Sequence, residues 1–81
     1  MIDKTDHKPD WGYSYEFDGG DKACGLLISE LAGFFKGLKS GELVCVIARD
    51  SGAWIDIPAW CRLTGHGFLD EAPPYYLLQC K

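Results

Sequence analysis

At 81 residues the chain has room for one domain, and a content of 47% hydrophobic and 14% aromatic residues is that of a chain that folds. A net charge of −4 and a pI of about 4.9 argue against a nucleic-acid binder, which carries a basic face. No run of about 18 apolar residues occurs, so no segment is expected to cross a membrane.

Residues 1–12, "MIDKTDHKPDWG", read as a flexible acidic leader: charged, with Pro9 and no periodicity. They lack the apolar stretch of a secretory signal. Trp11 is expected to tuck against the body, and residues 13–81 to form a single domain. "YSYEFD" (13–18) alternates Tyr13, Tyr15 and Phe17 with Ser14, Glu16 and Asp18, the pattern of a strand with one buried face. The paired glycines of "GGD" end it.

From Cys24 to Lys39 the period changes. Leu27, Ile28, Leu31, Phe34, Phe35 and Leu38 recur at steps of three and four, which predicts an amphipathic helix. Asp21 is its expected cap and Ser40-Gly41 its expected stop. "ELVCVIA" (42–48) is apolar on both alternations and predicts an inner strand, with Cys45 a buried, inert thiol. "IDIPAWCRLTG" predicts a second helix with Pro58 in its first turn, Asp56 as cap and Gly65 as stop. "HGFLDEA", a Pro73-Pro74 break and "YYLLQC" predict two antiparallel strands. The order β-α-β-α-β-β implies an α+β fold. It is a two-layer α/β sandwich, a mixed four-stranded sheet with two helices on one face and the other face open.

The four cysteines form no CxxC pair, and neither histidine stands at ligand spacing to a cysteine pair, so no metal site is expected. With no secretory signal, the thiols are expected to be free in a reducing, cytoplasmic setting. A disulfide-stapled domain is the competing reading of four cysteines in a short chain. Cys45 and Cys80 fall on strand patterns and Cys61 lies in mid-helix, all suited to packing.

Cys24 differs because it stands where a polar loop becomes an apolar helix. A helix start offers unpaired N–H donors and about half a positive charge, which lowers a thiol's pKa. Lys22 is a nearby cation and candidate thiolate stabiliser, and Gly25 leaves one side unshielded. A buried small residue at the edge of a core is the alternative, and the residues alone leave both readings open. No base, nucleophile elbow or phosphate-loop spacing accompanies Cys24. Group carriage therefore suits it better than hydrolysis, with no cofactor.

"SGELVCVIARD" (40–50), "DIPAWC" (56–61) and "PPYYLLQCK" (73–81) resemble matching stretches of the TusA/SirA-like family of small sulfur carriers, and the likeness covers roughly residues 13–81. The Asp-Ile-Pro-x-x-Cys stretch is its most specific part. The resemblance implies the same β-α-β-α-β-β sandwich. It also implies that Cys24 accepts sulfane sulfur as a persulfide from a donor such as a cysteine desulfurase and passes it to an acceptor protein, in sulfurtransferase fashion. Asp56, Ile57 and Pro58 match a second motif that is mainly structural. Where the family has Cys-Pro-x-Pro, this chain has Cys24-Gly25-Leu26-Leu27. The competing function is a non-catalytic binding or regulatory module that has lost that site.

Overall fold

The computed structural model describes residues 9–81, without the side chain of Cys24. The leader expected at residues 1–12 therefore falls, over residues 1–8, outside the described residues; Trp11 is half-buried. The elements follow the expected order: β1 (Tyr15–Asp18), α1 (Cys24–Lys36), β2 (Leu43–Ile47), α2 (Ala53–Thr64), β3 (Gly67–Ala72) and β4 (Tyr75–Gln79). The sheet runs β1-β2-β4-β3. β1 and β2 are parallel, while β2–β4 and β3–β4 are antiparallel, so the sheet is mixed.

The register explains the core. Tyr15, Val44, Leu78 and Phe68 line up across the strands, as do Phe17, Val46, Tyr76 and Glu71. Val44, Val46, Tyr76 and Leu78 share one buried cluster with Leu27, Leu31 and Phe35 of α1 and Ala53, Ile57, Trp60 and Cys61 of α2. Both helices therefore cover the same sheet face, each through residues spaced three or four apart. Phe34 reaches over the sheet edge, its ring 5.2 Å from that of Phe17 and 6.1 Å from that of Tyr15.

The other alternation departs from expectation. That face is not open at its centre, because Cys45, Ile47 and Leu77 are all buried, Cys45 completely. β2 and β4 are the inner strands, and their apolar residues on both alternations leave no polar side chain at the centre of either face.

Several boundaries also move. α1 ends at Lys36 because Gly37 caps it, the Gly37 N–H donating to the Phe34 carbonyl at 3.2 Å and the Leu38 N–H to the Phe35 carbonyl at 3.1 Å; glycine is a poor residue with which to continue a helix. Residues 39–42 then form a turn, with Lys39 N–H donating to Glu42 Oε1 at 2.9 Å and Gly41 at φ +90°. Asp21 does not cap α1; Ala23 occupies that position. α2 begins at Ala53, earlier than its apolar pattern suggests. Asp50 starts the turn, its carboxylate accepting the Gly52 N–H at 3.0 Å and its carbonyl the Ala53 N–H at 3.1 Å. Asp56 consequently lies inside the first turn and not at the cap, and Pro58 lies in the second turn, where it has no N–H for the Trp54 carbonyl. Gly65 closes α2 in the left-handed conformation, as expected. The β3–β4 hairpin turns at Pro73-Pro74, a cis bond, and β3 bulges at Leu69.

Cys45, Cys61 and Cys80 are buried and form no disulfide. Burial alone pushes the Cys61 thiol up to about 11. All three are expected to react with a bulky thiol reagent far more slowly in the folded protein than in denaturant. Labelling followed by peptide mass spectrometry checks this; equal rates would overturn it.

Candidate functional site

Because β1 and β2 run parallel, their C-terminal ends lie at one edge of the sheet, and both helices start there. The two loops that launch them are tied together. The Gly19 N–H donates to the Ile47 carbonyl at 2.8 Å, which extends the parallel ladder past the last paired residues. The Arg49 guanidinium lies 3.4 Å from Asp18 Oδ1. Asp18 Oδ1 also accepts the Gly20 N–H at 2.8 Å. That bond foremost holds the Asp18 carboxyl below its ordinary range against the opposing effect of desolvation, with Arg49 and then Lys22 adding to it.

Glycine is required twice in this turn. Gly20 has φ +59°. At Gly19 a methyl group would collide with Leu27 Cδ1 and stand 3.0 Å from the Ile47 carbonyl oxygen. The loop is thus pressed onto the first buried residue of α1, and this fixes where the helix begins.

Cys24 is the first residue of α1, as the switch from polar to apolar sequence predicts. The preceding Ala23 is extended (φ −65°, ψ 155°), no side chain caps the helix, and its first turn has no acid. The first amides of a helix lack intrahelical acceptors and carry a partial positive charge, and the helix's own first turn places no carboxylate against it. The expectation of an accessible Cys24 thiol with a depressed pKa lies outside the described residues. Lys22 is not devoted to the helix start: its Nζ lies 3.6 Å from Glu30 Oε1.

Apolar side chains gather at this same end. Leu26 in the first turn of α1 is 54% exposed, and Trp54 and Ile55 in the first turn of α2 are 59% and 54% exposed. Sequence reasoning missed Trp54, which it left in the loop by starting the second helix at Ile55. With Ala53 and Ile57 facing the core, a helical period turns the three residues between them, Trp54, Ile55 and Asp56, outward.

The far end of the helices carries a cleft of about 290 Å³ lined by Phe35, Lys36, Trp60, His66 and Lys81, among others. It lies roughly 18 Å along α1 from Cys24 at 1.5 Å per residue. The His66 ring is 4.7 Å from Phe35 and 5.1 Å from Trp60, and its Nδ1 accepts the Lys81 N–H at 3.2 Å. Desolvation, and then the charge of Lys81, lowers its pKa. His66 is thus a packing and hydrogen-bonding group here, remote from Cys24. Among the described residues no cluster of His, Cys, Asp or Glu could hold a metal ion, and no helix is long and apolar enough to cross a membrane.

No family model matches the chain. A protein of Bacillus subtilis (strain 168) named "Putative sulfur carrier protein YrkF" is 36% identical over 52 residues, which are 64% of this chain and 28% of that protein. The match thus spans little more than a quarter of the relative's length. It bears out the resemblance to the sulfur-carrier family read from the motifs.

Gly19→Ala is expected to destabilise the protein by roughly 1–3 kcal/mol through overpacking against Leu27, measured by urea unfolding; an unchanged midpoint would show that the loop yields freely. His66 has the opposite sign from a salt-bridged histidine. Its folded pKa is depressed, so its contribution is complete above the unfolded value of about 6.5 and is lost as pH falls through that value toward the folded one. The urea midpoint is therefore expected to drop between about pH 7.5 and about pH 5.5, and His66→Gln to flatten that drop.

Proposed function

We propose that the protein carries sulfane sulfur as a persulfide on Cys24, accepting it from a donor protein such as a cysteine desulfurase and delivering it to an acceptor protein. The observation that carries this reading is the position of Cys24 as the first residue of an uncapped helix whose first turn has no acid. The similarity to a named sulfur carrier supports the coarser role of sulfur carriage.

The chemistry needs no oxidant. The Cys24 thiolate attacks the outer sulfur of the donor's persulfide. A new S–S bond forms at Cys24, the donor's S–S bond breaks, and the donor leaves as a thiolate that takes up a proton. Cys24 then holds the persulfide anion, which the helix N-terminal field favours as it favours a thiolate. In delivery the acceptor thiolate attacks the outer sulfur and Cys24 is the leaving group. Low thiol pKa aids both halves, because it raises the thiolate fraction on loading and improves the leaving group on delivery. Lys22 adds positive charge to this end, in competition with its attachment to Glu30.

The other described cysteines suit this division of labour. Cys45, Cys61 and Cys80 are buried and cannot meet a donor protein without unfolding. Cysteines outside any disulfide fit a reducing compartment, and our reading puts the protein in the cytoplasm.

Treating the purified protein with inorganic polysulfide and reading intact mass is expected to show one added sulfur that maps to Cys24. Cys24→Ser should abolish the addition, while Cys45→Ser and Cys80→Ser should retain it. Sulfur that persists on the Cys24→Ser protein, or never appears on the wild type with any donor, would sink the carrier reading in favour of a binding module.

A further inference from the structure

The end of the sandwich where both helices begin has an unusual surface. Leu26, Trp54 and Ile55 are three large apolar side chains more than half exposed, all in first turns of helices that start at the same sheet edge. Three such groups at one end of so small a domain are the composition of an interface centre, where tryptophan is a frequent anchor.

Carboxylates outnumber cations around them. Asp18, Asp21, Asp50 and Asp56 all lie at this end, against Lys22 and Arg49. Both cations are already matched by carboxylates, Arg49 by Asp18 and Lys22 by Glu30. Asp21 and Asp56 make no ion pair among the described residues. The opposite end reverses the sign: Lys36, Lys39, Arg62 and Lys81 gather where the helices finish, with Glu42 the acid among them. The molecule is thus electrically polarised along its helices, negative where Cys24 stands.

We propose that this end is a docking face for the persulfide-bearing protein that loads Cys24, with Leu26, Trp54 and Ile55 as apolar anchors and Asp21 and Asp56 as rim charges that select a surface framed by Lys or Arg. The proposal rests on the carrier reading and adds to it the chemistry of the partner. An apolar centre excludes water at the contact, while the acidic rim steers a basic partner and turns away acidic ones. Orienting the molecule through its own charge asymmetry presents the start of α1 first and the basic end last.

The test compares two sulfur sources on the full chain. Inorganic polysulfide loads Cys24 without docking; a cysteine desulfurase charged with L-cysteine must dock. Trp54→Ser/Ile55→Ser is expected to keep polysulfide loading while slowing desulfurase loading by about tenfold or more. Asp21→Asn/Asp56→Asn should slow desulfurase loading severalfold and flatten its dependence on ionic strength. Leu63→Ser, at an exposed position on the opposite end, is the control and should change neither rate; far-UV circular dichroism confirms folding of each variant. Equal desulfurase loading of wild type and variants overturns the proposal. So does a wild type that takes sulfur from polysulfide but not from the desulfurase, and this outcome leaves the carrier reading standing. A wild type loaded by neither source removes the carrier reading and the docking face with it. A concentration-dependent dimer that Trp54→Ser/Ile55→Ser abolishes, with transfer unchanged, assigns the face to a second copy of the chain and likewise overturns the proposal.

Discussion

One backbone hydrogen bond organises the business end of this molecule: the Gly19 N–H to the Ile47 carbonyl, 2.8 Å. It holds the C-terminal ends of two parallel strands side by side, and every feature of the candidate site follows from that closeness. α1 and α2 must begin at the same edge, so two helix N-termini point the same way. Gly19 must lack a side chain, because Leu27 and the Ile47 carbonyl fill the space a methyl would need. The ion pair between Asp18 and Arg49 spans the same two loops, but it is exposed and screened, so it guides more than it stabilises. A sheet in which β1 ran antiparallel to β2 would place the start of α1 at the opposite edge from the start of α2. The apolar and acidic residues now gathered there would be scattered over both ends.

Burial divides the cysteines by role. Cys45 is central in the sheet, Cys61 faces it from α2, and Cys80 closes the last strand. Desolvation raises a thiol's pKa and solvent exclusion blocks its attackers, so buried thiols are inert on both counts. Cys61, pushed up to about 11, shows the size of the effect. A helix start works in the other direction, since its unpaired amides favour the anion.

The residues reveal most of this architecture and little of the surface. Element order and sheet type are legible because the periods switch cleanly, from two in "YSYEFD" to three and four after Cys24, and because "ELVCVIA" is apolar on both alternations. The polar-to-apolar switch also locates the start of α1 at Cys24. Helix ends are less legible, since they depend on backbone bonds that leave weak traces in composition. Asp50 starts α2 through its own carboxylate and carbonyl, and Ala53 is too small to stand out as a core residue, so Trp54 looks like a loop residue and the helix looks as if it starts at Ile55. The contact between Lys22 and Glu30 joins residues two helical turns apart and depends on how the loop enters the helix. The burial of Cys45, Ile47 and Leu77 is implied by their apolar character, yet counting layers argues for an open face.

The glycine that follows Cys24 has a consequence for the backbone. Proline restricts the residue before it to extended conformations, because its ring crowds that residue's N–H and Cβ. In a Cys-Pro sequence the helix therefore begins at the proline and leaves the cysteine outside, in the capping position. Gly25 imposes no such restriction, and here Cys24 is itself the first helical residue, with Ala23 extended before it. Among the described residues nothing outside its own helix turn lies within 4 Å of a Cβ added at Gly25, so no close approach there calls for the glycine. Its effect is to retain an N–H in the first turn that a proline would remove, and to advance the helix by one residue. The departure from Cys-Pro-x-Pro thus changes where the cysteine stands relative to the helix field. It also trades a pre-set φ for the larger entropy of glycine, so that the start of α1 is held by the Gly19 turn and Leu27 more than by its own first residues.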